Sequence, residues 1–259
     1  MTMKNYFDLK GQVAIVTGCS TGLGVQMAKA LANQGAAIVA VARRQNMIDD
    51  VAAAIKAEYG VETMAVRCDI TSTDQVEAMV DAVLAKLGRI DILVNNAGTG
   101  AVAPAEDITD DQFGNEMNID LFGSFRVARA VAKKVMIPAK YGRVINIASM
   151  YGLVGNKIAG SAPYHAAKGG VVNLTRALAA EWGKYNITVN AICPGYFYTD
   201  LTRDTLNSDF FQQNARTMIP EERYGEEGEL DSAALFLASP ASSYVTGVNL
   251  PVDGGYTCM

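Results

Sequence analysis

A repeated switch in hydrophobic period is what most restricts this chain. Short apolar runs, many rich in β-branched residues, fall at 12–17, 37–41, 63–67, 90–94, 143–147, 187–193 and 248–252. Between them, apolar residues recur at helical spacing over 22–33, 46–59, 72–87, 109–135, 162–185 and 226–237. Ser72 stands as an N-cap with Gln75 three residues on, and Pro138 lies just beyond the fourth helical stretch. Strands of about five residues separated by helices of ten or more make βαβ units and a parallel sheet. The strands lack strict polar alternation, as expected when helices cover both faces. The expected fold is α/β: a doubly wound parallel sheet of about seven strands. No linker, repeat or low-complexity tract interrupts it, so one domain is expected over 1–259. The stretch 195–225 has no strand signal but carries Tyr196, Phe197, Tyr198, Phe210 and Phe211, which suits a lid or binding element.

Composition narrows the function. Half of the 259 residues are hydrophobic and 19% are charged, which excludes a mainly disordered chain. Lys plus Arg is 22 against 27 Asp plus Glu, without a basic stripe, so nucleic acid is not an expected partner. Cys19, Cys68, Cys193 and Cys258 are scattered, and His165 is the only histidine. That pattern suggests no metal site and no disulfide framework, and suits a reducing cytoplasm. No apolar run approaches the roughly 18 residues of a membrane span, and residues 1–10 lack the apolar core of a signal peptide.

The first strand ends in Thr17-Gly18-Cys19-Ser20-Thr21-Gly22-Leu23-Gly24. Glycines let a backbone turn sharply and approach a pyrophosphate, and the helix that follows presents unpaired N–H groups and a positive dipole end. A dinucleotide is therefore expected at Gly18, Ser20, Thr21, Gly22, Leu23 and Gly24. An acidic residue after the second strand would hold the ribose 2′-hydroxyl of NAD. Here Arg43 and Arg44 follow Ala42, and an arginine there pairs with a 2′-phosphate. NADP(H) is the favoured cofactor, with NAD(H) as the alternative.

Tyr164 and Lys168 stand at i and i+4 on one helix face. An ordinary tyrosine, with a pKa near 10, is a poor base at neutral pH, and a nearby cation favours its phenolate. His165 points about 100° around the helix and is given no catalytic part. Asn95 to Gly98, Ser149 and Pro194-Gly195 each follow a strand, where an open α/β sheet builds its ligand crevice.

Together these segments resemble the short-chain dehydrogenase/reductase family in its single-domain, Rossmann-type form, over nearly the whole chain. The resemblance implies that Tyr164 moves the proton, Lys168 supports it and holds the nicotinamide ribose, and Ser149 binds the substrate oxygen. It implies that Asn118 supports a water relay to Lys168 and that Asp69 and Ile70 lie near the adenine. Asn95, Ala97, Gly98, Pro194, Gly195 and Thr199 are implied to line the cofactor cleft. Pairing of the long helices into a homotetramer or homodimer is also implied.

The stretch 194–202 with Asp209-Phe210-Phe211 and Arg223-Tyr224-Gly225 resembles the gluconate 5-dehydrogenase branch, which acts on sugar acids. Met150, Tyr151, Tyr196 and Tyr198 would equally suit an apolar pocket for a hydroxysteroid. A 3-oxoacyl carrier-protein reductase and a non-catalytic dinucleotide sensor are the other readings.

Overall fold

The computed structural model describes residues 5–100, 102–157, 160–199 and 202–259. Met1–Lys4 of the expected non-signal N-terminus, and Asp200 and Leu201 of the substrate-loop motif, lie outside the described residues. The strands are β1 (Val13–Thr17), β2 (Ala37–Ala42), β3 (Thr63–Arg67), β4 (Ile92–Asn95), β5 (Gly142–Ile147), β6 (Ile187–Pro194) and β7 (Asn249–Val252). They form one sheet in the order β3-β2-β1-β4-β5-β6-β7, with every pairing parallel. The order reverses direction between β1 and β4, which opens a crevice at the carboxyl ends of those strands.

The helices are α1 (Gly22–Asn33), α2 (Gln45–Tyr59), α3 (Thr73–Leu87), α4 (residues 110–139), α5 (Ala162–Trp182), α6 (Arg203–Leu206), α7 (Asp209–Met218) and α8 (Asp231–Ala238). Successive strand residues point to opposite faces. Ile15, Val39, Leu93, Val144 and Val189 pack with Met79 of α3, Val131 of α4 and Trp182 of α5. Ala14, Val16, Ile38, Val94 and Ile145 pack on the other face with Leu31 of α1, Ile48 of α2 and Leu237 of α8. Two dry layers therefore clamp the sheet and fix its carboxyl edge.

Three departures from the sequence reading have local causes. The fourth helix continues through Pro138 to Ala139. Wide turns of the i→i+5 kind at Met117–Gly123 and Ala132–Met136 interrupt its regular bonding, and the second directly precedes the proline-bearing turn. The helix expected from Glu226 begins at Asp231. There Glu229 accepts the Glu226 amide hydrogen at 2.7 Å and grips Arg223 through two bonds of 2.7 and 2.8 Å, making a turn instead. Ser72 does cap α3, accepting from the Gln75 amide at 3.4 Å, but the Gln75 side chain turns back to accept from the Asp69 amide. Among the described residues, no helix is long and apolar enough to cross a membrane.

Candidate active site

The glycine turn is held open by the end of β4. Thr17 Oγ1 accepts the amide hydrogens of Asn96 (3.0 Å) and Ala97 (3.1 Å). Asn96 Nδ2 donates to the carbonyls of Thr17 and Gly18. Gly18 and Gly22 have φ of +65° and +61°, a region that favours glycine. A Cβ on Gly18 would stand 2.8 Å from the Ala97 Cα. Thr21 starts α1 without a side-chain cap, and no acidic residue occupies the first turn. These features leave a backbone cradle with amide hydrogens and positive dipole facing outward, which fits the pyrophosphate of a dinucleotide.

The cradle opens into a cleft of about 410 Å³. Gly18, Ser20, Thr21, Gly22 and Leu23 line it after β1; Arg43 and Arg44 line it after β2; Asp69 and Ile70 line it after β3. Ala97 and Gly98 follow β4, Ser149 follows β5, and Pro194, Gly195 and Thr199 close the far side with Tyr164 and Lys168 of α5. Arg44 Nη2 donates to Ser20 Oγ at 2.9 Å, so one arginine is moored to the glycine turn. The amide and hydroxyl of Thr71 hold the Asp69 carboxyl below its ordinary value, with a smaller contribution from Arg43.

Two expected cofactor contacts lie beneath the cleft. Asn95 is buried and donates to the Ser124 carbonyl (3.1 Å) and Asn146 Oδ1 (3.0 Å), joining β4 to β5 and α4. Gly24 packs under the turn, where a Cβ would meet the Gly18 carbonyl and Asn96 Nδ2 at 2.6 Å each. Asn96, inside the Asn95–Gly98 stretch but without a role assigned from the sequence, repeats the Asn95 side chain one residue on.

On the other side of the cleft, Ser149 Oγ accepts from the Tyr151 amide at 3.1 Å, a role that keeps its own proton available to a substrate oxygen. Lys168 is buried; its Nζ donates to the Ile147 carbonyl at 3.1 Å and lies 5.5 Å from the centre of the Tyr164 ring. Asn118, expected to support a water relay to Lys168, has its side chain bonded to Arg126. Asn118 Oδ1 accepts from Arg126 Nη2 at 2.8 Å, eight residues on along α4. Asp120, fully buried, instead places Oδ2 3.0 Å from Lys168 Nζ. Its other oxygen accepts the Thr99 amide hydrogen at 2.8 Å. Burial acts against the Lys168 ammonium, but the Asp120 carboxylate, the Tyr164 phenol and Glu116 outweigh it and hold the amine above its ordinary value.

The expected substrate wall of Met150, Tyr151, Tyr196 and Tyr198 does not line this cleft. Met150 is buried under the turn after Ser149. The Tyr151 and Tyr196 hydroxyls bond each other, and Tyr151 stacks on His165 with ring centroids 4.7 Å apart. Tyr198 is exposed, and its hydroxyl accepts from Asn207 Nδ2 at 3.2 Å. Phe197, Thr99, Ile119 and Thr202 take their place on the wall. Burial pushes the Cys19 thiol up to about 12 and the Cys193 thiol up to about 11, so neither is an activated nucleophile. Cys258 is exposed, unlike the other three cysteines.

A glycine turn shaped for a phosphate, a paired Tyr and Lys, and a serine on one crevice of a parallel sheet mark a dinucleotide-dependent oxidoreductase. A family model described as enoyl-(acyl carrier protein) reductase matches residues 18–257. The gluconate 5-dehydrogenase of Gluconobacter oxydans is 38% identical over 99% of each chain. The 2-dehydro-3-deoxy-D-gluconate 5-dehydrogenase of Formosa agariphila is 40% identical over 96% of this chain and 94% of its own. The crystal structure of a gluconate 5-dehydrogenase from Burkholderia cenocepacia in complex with NADP and tartrate superposes with a TM-score of 0.94, at 38% identity and 98% coverage of both chains. The chain belongs to the short-chain dehydrogenase/reductase family, and it is an oxidoreductase of the alcohol–ketone type.

Proposed function

We propose that the protein interconverts a secondary alcohol and a ketone on a small sugar acid, with gluconate and its 5-keto form as the reference pair and NADP(H) as the preferred cofactor. The observation that carries this reading is the shared cleft: Ser149, Tyr164 and Lys168 open onto the same space as the glycine turn and Arg43. A nicotinamide dinucleotide bound there supplies or accepts the hydride. In the reducing direction Tyr164 gives its phenolic proton to the carbonyl oxygen. Ser149 donates a hydrogen bond to that oxygen and polarises it. Lys168 stabilises the phenolate that remains and orients the ribose. Thr99, Ser149, Thr199 and Thr202 place hydroxyl-bearing residues on the cleft wall, which suits a polyhydroxylated substrate better than a steroid. The sugar-acid dehydrogenases among the relatives support the same choice.

Sugar acids, polyols, steroids and ketoesters assayed with each nicotinamide cofactor at about 340 nm, the absorption of the reduced ring, test this reading. Sugar acids are expected to give the highest kcat/KM, and a steroid preferred over all of them would overturn it. Cofactor choice has its own test. Arg43→Ala is expected to cut the preference for NADPH over NADH by about tenfold to a hundredfold, the worth of a charge-assisted phosphate contact. Wild-type protein that turns over faster with NADH would refute the assignment. A homotetramer or homodimer is proposed through α4, which exposes Phe113 and Phe122; a monomer by light scattering would refute it.

A further inference from the structure

Phe197 stands between the cleft and a second, smaller space. It is buried, lines the cleft, and also lines a cavity of about 130 Å³ shared with Ile219, Arg223 and Gly254. A ring with open space on two sides is short of packing partners, so what it rests on decides where it stands. It rests on Gly225: a Cβ there would run into Phe197 Cε1 and stand 2.6 Å from Cζ. The two residues also pair as a parallel bridge, and the Gly225 amide donates to the Tyr196 carbonyl at 2.8 Å. Gly225 is in turn gripped from both sides by one ion pair. Arg223 Nη1 donates to the Tyr224 carbonyl at 3.2 Å, just before it, and Glu229 accepts the Glu226 amide hydrogen at 2.7 Å, just after it. Arg223 and Glu229 are joined by two bonds of 2.7 and 2.8 Å, and Glu221 lies 2.8 Å from the same guanidinium. Glu222 beside them has φ of +56°, a conformation that few residues other than glycine adopt. The Glu221 amide donates to the Gly254 carbonyl at 3.1 Å, which moors the turn just after β7.

We propose that Arg223 and Glu229 are positioning residues for the cofactor: their ion pair fixes Gly225, Gly225 seats Phe197, and the Phe197 ring sets the cleft wall against which the dinucleotide is held. The inference rests on the reading of the cleft as the site of a nicotinamide dinucleotide. Phe197 belongs to the same stretch as Pro194, Gly195 and Thr199, which line the cleft with it. Neither partner of the ion pair reaches the cleft itself. The pair is also 44% and 40% exposed, and exposed pairs add little to overall stability. Its loss should therefore leave the core intact and be felt where the turn meets Phe197. Arg223 and the Glu226 amide hold the Glu229 carboxyl down to about 2, so the pair is ionised throughout the neutral range.

A double-mutant cycle on the full-length protein tests this. Binding of NADPH and of NADH is followed by fluorescence, and the tighter of the two is read. Arg223→Gln is expected to raise its Kd about threefold to tenfold, with Tm lower by about 3 °C or less. At saturating cofactor and 5-ketogluconate, kcat is expected to stay within about threefold of wild type, because Ser149, Tyr164 and Lys168 are untouched. Phe197→Leu keeps an apolar side chain but removes Cε1 and Cζ, the atoms that meet Gly225. In that background Arg223→Gln is expected to change Kd by less than about twofold, since the route from the ion pair to the wall is already cut. Glu229→Gln should reproduce Arg223→Gln, and it replaces that variant in the cycle if Arg223→Gln does not fold. An unchanged Kd in the single variant, or the same weakening with and without Phe197→Leu, would overturn the role of the ion pair and leave the cleft reading standing. Wild-type protein that binds neither NADPH nor NADH would bring down both.

Discussion

Tyr164→Phe is expected to lower kcat by about a hundredfold to ten-thousandfold, the range over which one positioned acid–base group acts. The substitution deletes one oxygen and keeps the ring. Tyr164 is half-buried, and its ring lies 5.5 Å from Lys168 Nζ, so the packing that seats the lysine survives. Cofactor affinity is therefore expected to change little, because the glycine cradle and both arginines are untouched. Equilibrium binding of NADPH by fluorescence, measured beside steady-state kcat, separates the two quantities. A variant that binds and turns over normally would show that the proton travels by another route. A variant that loses binding as well would show that the phenol holds the cofactor cleft together.

The second large effect is steric. Gly24→Ala would put a methyl 2.6 Å from the Gly18 carbonyl and from Asn96 Nδ2. Neither neighbour is a flexible chain end: one is backbone of the turn, and the other is pinned to the Thr17 and Gly18 carbonyls. Relief requires the turn to open, which misaligns the amide hydrogens at the start of α1. Overpacking of this order costs about 1–3 kcal/mol, and Tm is expected to fall by about 3–10 °C. NADPH affinity is expected to drop about tenfold or more, since each misaligned hydrogen bond to a charged group forfeits about 1.5–3 kcal/mol. Differential scanning calorimetry with and without NADPH reads both effects. An unchanged Tm together with unchanged affinity would mean that the turn is softer than its contacts indicate.

What could be seen in the sequence follows from how local each constraint is. The strand–turn–helix at 13–33 is set by near neighbours: β-branched residues, then glycines at positive φ, then helical spacing. Tyr164 and Lys168 are legible for the same reason, because α5 is regular there and i, i+4 residues share a face. Asp120 is not. It stands two residues from Asn118 in a segment whose i→i+5 bonding shifts every later side chain around the axis, so regular spacing cannot tell which of the two faces Lys168. The clue available in the sequence is chemical: a single carboxylate between Ile119 and Leu121 in an apolar run requires a buried partner. The wall of the cleft was also hidden. Tyr151 and Tyr196 find each other across 45 residues, and Phe197 turns inward to pack over Gly225, contacts that no periodicity encodes. The start of α8 depended on Glu229 gripping Arg223, an ion pair that displaces a helical turn.

The central claim is that this cleft passes hydride between a nicotinamide ring and the carbon of a sugar-acid carbonyl. It is tested most directly by isotope transfer. NADPH carrying deuterium at either face of C4 is mixed with 5-ketogluconate and the wild-type protein, and the product is examined by mass spectrometry and proton NMR. The expected result is deuterium at the new carbinol carbon from one labelled face and none from the other. NADPH that binds tightly yet delivers no deuterium from either face, to 5-ketogluconate or to any other keto sugar acid, would contradict the account.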